Sequence, residues 1–190
     1  MAELHVIGQL VGGYDFHSCD LFCKWGLAHG SNWNVIEGKS EGQTQDGTFA
    51  KWSHPIDLHL SCQGLQGWPK LHFQVWHEDI FGRNELCKLK HNKGHYNSNV
   101  ARVCFVDGYG FIHVPTVPGN HEVDCVIWKP VGSFMDQVTS FFMGGGPELS
   151  QESLVHSSED RLRLRTESSG RVRLKLGIII RNFEKFGVET

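Results

Sequence analysis

Long apolar runs are missing from this 190-residue sequence. The longest candidate is Ile178 to Ile180, far short of the roughly 18 consecutive apolar residues that a membrane-crossing helix needs. Cysteine is sparse and unevenly placed: Cys19, Cys23, Cys62, Cys87, Cys104 and Cys125 outline no disulfide framework. The opening MAELHVIGQL lacks the charged start and long apolar core of a signal peptide. Together these absences predict a reducing, intracellular setting. Ala2 after Met1 excludes N-myristoylation and the ending GVET is no prenylation box, so any membrane contact is expected to be peripheral. Runs of alanine, leucine and glutamate are also lacking, which excludes coiled coils, and 39 % apolar with 21 % charged residues excludes collagenous and disordered classes.

Catalytic signatures are equally scarce. Neither a G-x-S-x-G elbow nor an H-E-x-x-H pair occurs. Gly38-Lys39-Ser40 has the ending of a phosphate loop, but Trp33 stands where its first glycine belongs. Gly108 and Gly110 begin a dinucleotide fingerprint that His113 spoils. No enzymatic activity, catalytic residue or cofactor is therefore expected. Cys87, His91, His95 and Cys104 offer nitrogen and sulfur donors at C-x3-H-x3-H-x8-C. That spacing matches no standard zinc knuckle, and no metal site is assigned.

What is abundant is glycine, 22 residues, together with alternation of period two. Leu4, Val6 and Leu10 share a parity, as do Leu21, Cys23, Trp25 and Leu27, then Ile56, Leu58 and Leu60, then Leu71, Phe73 and Val75. Gly12-Gly13, Gly30-Ser31-Asn32, Asp46-Gly47, the stretch 64–69 and Pro118-Gly119-Asn120 supply turns between them. Many short strands with such punctuation predict an all-β, antiparallel sandwich, and the length suits a single domain over residues 1–190. One helix is expected in 133–144, where Phe134, Val138, Phe141 and Phe142 fall at i, i+4, i+7 and i+8 behind Ser133. The polar, histidine-containing stretch of about 86–106 is expected to be a loop insertion, with a strand near Val100 to Val106.

Charge is divided along the chain. Residues 1–160 carry ten Lys and Arg against eighteen Asp and Glu, a net of minus eight, whereas residues 161–190 carry eight against three, a net of plus five. If 166–170 were a turn, Arg161, Arg163 and Arg165 would face Lys175, Arg173 and Arg171 across a hairpin. Six cations on one face make a candidate surface for an anionic partner, either acidic phospholipid headgroups or an acidic protein. Stacking aromatics do not alternate with them, so nucleic acid is not expected. Trp68, between Gly67 and Pro69 on a turn, is a candidate protein contact, with core packing as its alternative.

LFCKWG at 21–26, EGQTQ at 41–45, WSHPIDLH at 52–59, GLQGWPKLHFQVW at 64–76, FGR at 81–83, GYGF at 108–111, the Trp128-Lys129-Pro130 run, GGGP at 144–147 and RNFEKFGVE at 181–189 together closely resemble the B9 domain family. The resemblance covers essentially the whole chain and departs at one place, the roughly twenty residues of about 86–106 between FGR and GYGF. It implies a C2-like β-sandwich without enzymatic activity, at the basal body and transition zone of the cilium. The partners it implies are B9 domain-containing protein 1, Meckel syndrome type 1 protein and the tectonic complex members. It also raises calcium, which many C2 domains hold between loop aspartates. Calcium needs six to eight converging oxygens, and Asp15, Asp20, Asp46, Asp57, Asp107 and Asp124 are isolated in sequence. Calcium is not expected.

Overall fold

A computed structural model describes residues 1–18, 20–44, 50–79, 103–132, 155 and 165–188. Its strands are β1 (Ala2–Tyr14), β2 (Leu21–Ala28), β3 (Trp33–Gly38), β4 (Glu41–Gln43), β5 (Lys51–Cys62), β6 (Lys70–Asp79), β7 (Val103–His113), β8 (Gly119–Pro130) and β9 (Thr166–Arg181). A 3-10 turn, Phe183–Phe186, follows β9. All nine strands join one antiparallel sheet in the order β3-β5-β1-β9-β8-β7-β6-β2-β4. The fold is thus nearly all-β, as the alternation predicts.

Chain connectivity forces this sheet to curl. Its two outermost strands, β3 and β4, are separated in sequence only by Lys39 and Ser40. Gly38 and Glu41 are three Cα steps apart, at most about 11 Å. In a flat sheet, nine strands at about 4.8 Å spacing would hold those edges close to 38 Å apart. The sheet therefore folds over into two layers, β3-β5-β1-β9-β8 against β7-β6-β2-β4, and the segment around Lys39 crosses between them. The Leu27 N–H donates to the Ser40 carbonyl at 2.7 Å, fastening the crossing to β2. At the opposite fold the register contact between β7 and β8 is the pair Tyr109 and Trp128. The result is the C2-like sandwich.

The core lies between the layers. Leu4, Val6 and Leu10 of β1, Ile56, Leu58 and Leu60 of β5, and Val172, Leu174, Leu176 and Ile178 of β9 meet Cys23, Trp25, Leu71, Phe73 and Val75 of β2 and β6. Every one of them is buried. The parities seen in the sequence are those that face inward, because successive side chains of a strand point to opposite sides. Trp52 ties the layers together, its indole N–H donating 2.8 Å to the Leu21 carbonyl. Pro55 is accommodated inside β5 because β3 pairs only with Leu58–Cys62, so one side of β5 is free at that position.

Two expectations meet the structure differently. The turn at 166–170 does not form: Thr166 to Gly170 begin β9 and pair with β8, with Gly170 opposite Ile127, Ser168 opposite Trp128 and Thr166 opposite Pro130. TESSG is polar because it edges the sheet toward solvent, and polarity alone cannot separate an exposed strand end from a turn. The strand expected near Val100 to Val106 is found as the start of β7 at Val103, paired with Asp79. The rest of about 86–106, expected to be a loop insertion, lies outside the described residues, as does the helix expected in 133–144.

Candidate functional site

β9 alternates apolar and cationic residues, so once Val172, Leu174 and Leu176 turn inward, Arg171, Arg173 and Lys175 must point to the outer face. Their neighbours there follow from register. On β8, Val126 stands opposite Arg171, Asp124 opposite Arg173 and Glu122 opposite Lys175. On β1, Tyr14, Gly12 and Gln9 are the respective partners. The cations thus face carboxylates rather than one another.

The contacts are direct. The Arg173 guanidinium forks onto Asp124, with Nε to Oδ1 at 2.7 Å and Nη2 to Oδ2 at 2.9 Å, and lies 4.8 Å over the Tyr14 ring. Its Nε is also 3.5 Å from Glu122. Arg171 donates from Nε to Asp15 Oδ2 at 2.6 Å and reaches Asp124 at 3.7 Å. Lys175 is 4.0 Å from Glu122. The hydrogen bond from Arg173 holds the Asp124 carboxyl below its ordinary range, and Asp124 in turn raises the Arg173 guanidinium. Three cations and three carboxylates make a ladder with no net charge. Exposed pairs of this kind contribute little stability and mainly set orientation and selectivity.

Of the other cations in the expected six-residue face, Arg161 and Arg163 lie outside the described residues. Arg165 is exposed, and its carbonyl accepts the Val131 N–H at 2.8 Å, which extends the β8–β9 pairing. Arg171, Arg173 and Lys175 stand on one strand between β8 and β1 and do not face one another across a turn at 166–170. Beside the ladder, three aliphatic side chains remain exposed on the same face: Ile7 at 50 %, Val126 at 62 % and Ile179 at 55 %. Gly8 and Gly177 floor a groove between Ile7 and Lys175. A side chain at Gly8 would place its Cβ 2.1 Å from the Lys175 carbonyl oxygen, so this floor must be bare.

Trp68 has a different place. Its indole N–H donates to the Val114 carbonyl at 2.7 Å, and its ring meets Trp33 edge-on at 5.0 Å and Phe183 at 6.2 Å. The three aromatics close one end of the sandwich. The turn carrying Trp68 crosses the Gly30 loop so closely that a Cβ at Gly67, whose φ is +72°, would lie 2.4 Å from the Gly30 Cα. Trp68 is half-buried, packed against the core and anchored by its own hydrogen bond.

The described aspartates do not converge in a way that fits calcium. Asp15 and Asp124 bind arginines, and Asp107 holds the His77 ring nitrogen at 2.8 Å from the β6–β7 bulge. The glycines that began a dinucleotide fingerprint are packing positions within β7: a Cβ at Gly110 would lie 2.7 Å from Ile127 Cδ1. Gly38-Lys39-Ser40 is the crossing between layers. Of the C-x3-H-x3-H-x8-C set, Cys104 stands in β7 and the other three residues lie outside the described ones.

Sequence comparison agrees with this architecture. Residues 4–179 match the family model B9-C2, described as "Ciliary basal body-associated, B9 protein". The chain belongs to the B9 protein family. This B9 chain is 48 % identical to a B9 domain-containing protein 2 of Danio rerio over 195 residues, covering 100 % of both chains. It is 46 % identical to one of Homo sapiens, covering 100 % of this chain and 99 % of the relative. A B9 domain-containing protein 1 of Mus musculus is more distant, at 28 % identity over 98 % of this chain and 86 % of its own. The B9 proteins are a ciliary family and not a known enzyme family.

One cluster in this B9 chain escaped sequence reasoning. Glu3 and His5 of β1 and His59 of β5 come together on the outer face because His5 pairs with His59 across the strands. The signal lay in the polar parity of AELHV and DLHL, but only register shows that the two histidines are opposite one another.

Proposed function

We propose that this B9 protein is a non-catalytic scaffold subunit of the ciliary transition-zone complex, required for cilium assembly and for the diffusion barrier at the ciliary base. Its partners are B9 domain-containing protein 1, Meckel syndrome type 1 protein and tectonic complex members, and it works in the cytoplasm, at the ciliary basal body and transition zone. The observation that carries this reading is a match to a ciliary basal body-associated family over residues 4–179, with a relative aligned over the full length of both chains. The outer face supports protein partners over lipid. A surface for acidic headgroups works through unneutralised cations, whereas Arg171, Arg173 and Lys175 already meet carboxylates. A ladder of both signs beside exposed aliphatic residues is instead the composition of a protein interface, with charge to set register and Ile7, Ile179 and Val126 to exclude water.

Co-expression with B9 domain-containing protein 1 tests this. The expected result is a stoichiometric complex on gel filtration that Ile7→Asp and Ile179→Asp weaken while the chain stays folded. Clean separation of the two folded proteins would count against a scaffold role.

A further inference from the structure

We propose that Glu3, His5 and His59 form a binding site for a divalent transition-metal cation, with zinc the best match, on the outer face of β1 and β5. His5 and His59 are direct cross-strand partners whose rings stack with centroids 4.0 Å apart and planes inclined by 17°. Glu3 precedes His5 by two residues and so projects to the same side. Its Oε2 lies 4.0 Å from His5 Nε2 and 3.7 Å from His59 Nε2. One donor atom from each of the three residues falls within 4.8 Å of the others.

These separations are near what coordination requires. Ligands bound tetrahedrally at about 2.0–2.1 Å are roughly 3.3 Å apart, so Glu3 must draw in by roughly 0.4–0.7 Å and the two stacked rings must turn so that their lone pairs converge on the ion. The donor set also selects the metal: two imidazoles and one carboxylate suit zinc and its neighbours, while magnesium and calcium favour all-oxygen shells. Three protein ligands would leave a fourth position for water or for a partner's side chain.

An independent observation points the same way. His59 Nε2 is buried and has no hydrogen-bond partner, although burying a polar atom unpaired costs roughly 1–3 kcal/mol. A bound cation would use that lone pair. The surroundings favour positive charge, since Glu37 of β3 stands opposite His59 from the other side. Arg181, 4.0 Å from Glu3, is the competing cation, and its side chain is 73 % exposed and able to swing away.

The experiment is titration of the purified full chain with zinc chloride in a non-chelating buffer, followed by calorimetry and by thermal melting. Wild type should bind zinc and melt at higher temperature with it, because a ligand of the folded state alone stabilises that state. Magnesium should do neither. His5→Gln and His59→Gln should each weaken binding at least about tenfold, the lower end of what disturbing a metal site costs. Cys87→Ser with Cys104→Ser should leave it intact. Cobalt substitution provides a readout that needs no variant: d–d absorption of a nitrogen- and oxygen-ligated ion is expected in the wild type. The proposal is overturned if excess zinc gives neither heat nor a melting shift, or if both histidine variants bind as tightly as wild type. It is also overturned if the cysteine substitutions, and not the histidine ones, abolish binding.

Discussion

Two polar rows share the outer face of the β8-β9-β1-β5 layer and differ in how they balance their polar groups. Along β8 and β9, Glu122, Asp124 and Asp15 answer Lys175, Arg173 and Arg171, so the row is electrostatically complete. At the β1–β5 corner, two histidines and one glutamate bring their lone pairs together and leave the His59 nitrogen without a hydrogen bond. Both rows arise from the same period-two alternation, with apolar residues turned inward. The difference shows that alternation decides only which side chains are outside. What they can bind depends on which strand lies alongside.

The largest effect expected in testing this contrast is on the inner face of β9. Leu174 is fully buried and lies between Arg173 and Lys175 in sequence. Leu174→Ala should lower unfolding stability by about 2–5 kcal/mol in urea titration. Arg173→Ala, one residue away, should move the midpoint far less. If the two substitutions cost the same, the ladder would be a structural support and not a surface feature.

A smaller effect separates the rows by pH. Asp124 has a folded pKa below its ordinary 3.8 because Arg173 hydrogen-bonds its charged form. A depressed carboxyl adds stability above its unfolded pKa, and that stability is lost as pH falls through the folded value. Asp124→Asn should therefore lower stability slightly near neutrality, where that contribution is present, and flatten the profile below about pH 4, where the wild type loses it. His54, lowered from 6.5 by burial and then by Lys39, acts in the same direction in a higher window. Its contribution is present above pH 6.5 and falls as acidification drives a proton onto a site that resists it, so His54→Gln should reduce the loss of stability measured between pH 7 and pH 5.5.

The smallest expected effect is on membranes. With Arg171, Arg173 and Lys175 paired, the chain should sediment weakly with acidic liposomes, and reversing Arg163, Arg173 and Lys175 to glutamate should change sedimentation little. Strong, salt-sensitive sedimentation abolished by that triple variant would restore the basic surface as a lipid site and weaken the contrast between the rows.

Strand positions and inward parities were readable because burial of one face demands alternation within a few residues. Leu4, Val6, Leu10, Ile56, Leu58 and Leu60 all face the core as their spacing predicts. TESSG forms an exposed strand end where its composition predicts a turn, because serine, glycine and glutamate suit both. That difference places Arg171, Arg173 and Lys175 between β8 and β1, where they meet carboxylates, while Arg161 and Arg163 lie outside the described residues. Trp68 could not be resolved from its turn alone, because the Val114 carbonyl that anchors it is 46 residues away.

By itself, the sequence determined an all-β chain, the residues of its core, and the set of polar side chains that must lie outside. These follow from local periodicity and from composition, which act over a few residues. Tertiary structure decided the pairings: Asp124 beside Arg173, His5 beside His59, and the crossing at Lys39 and Ser40 that joins the two edges. Each depends on hydrogen-bond register between strands distant in sequence, and a shift of one residue in that register would exchange every partner.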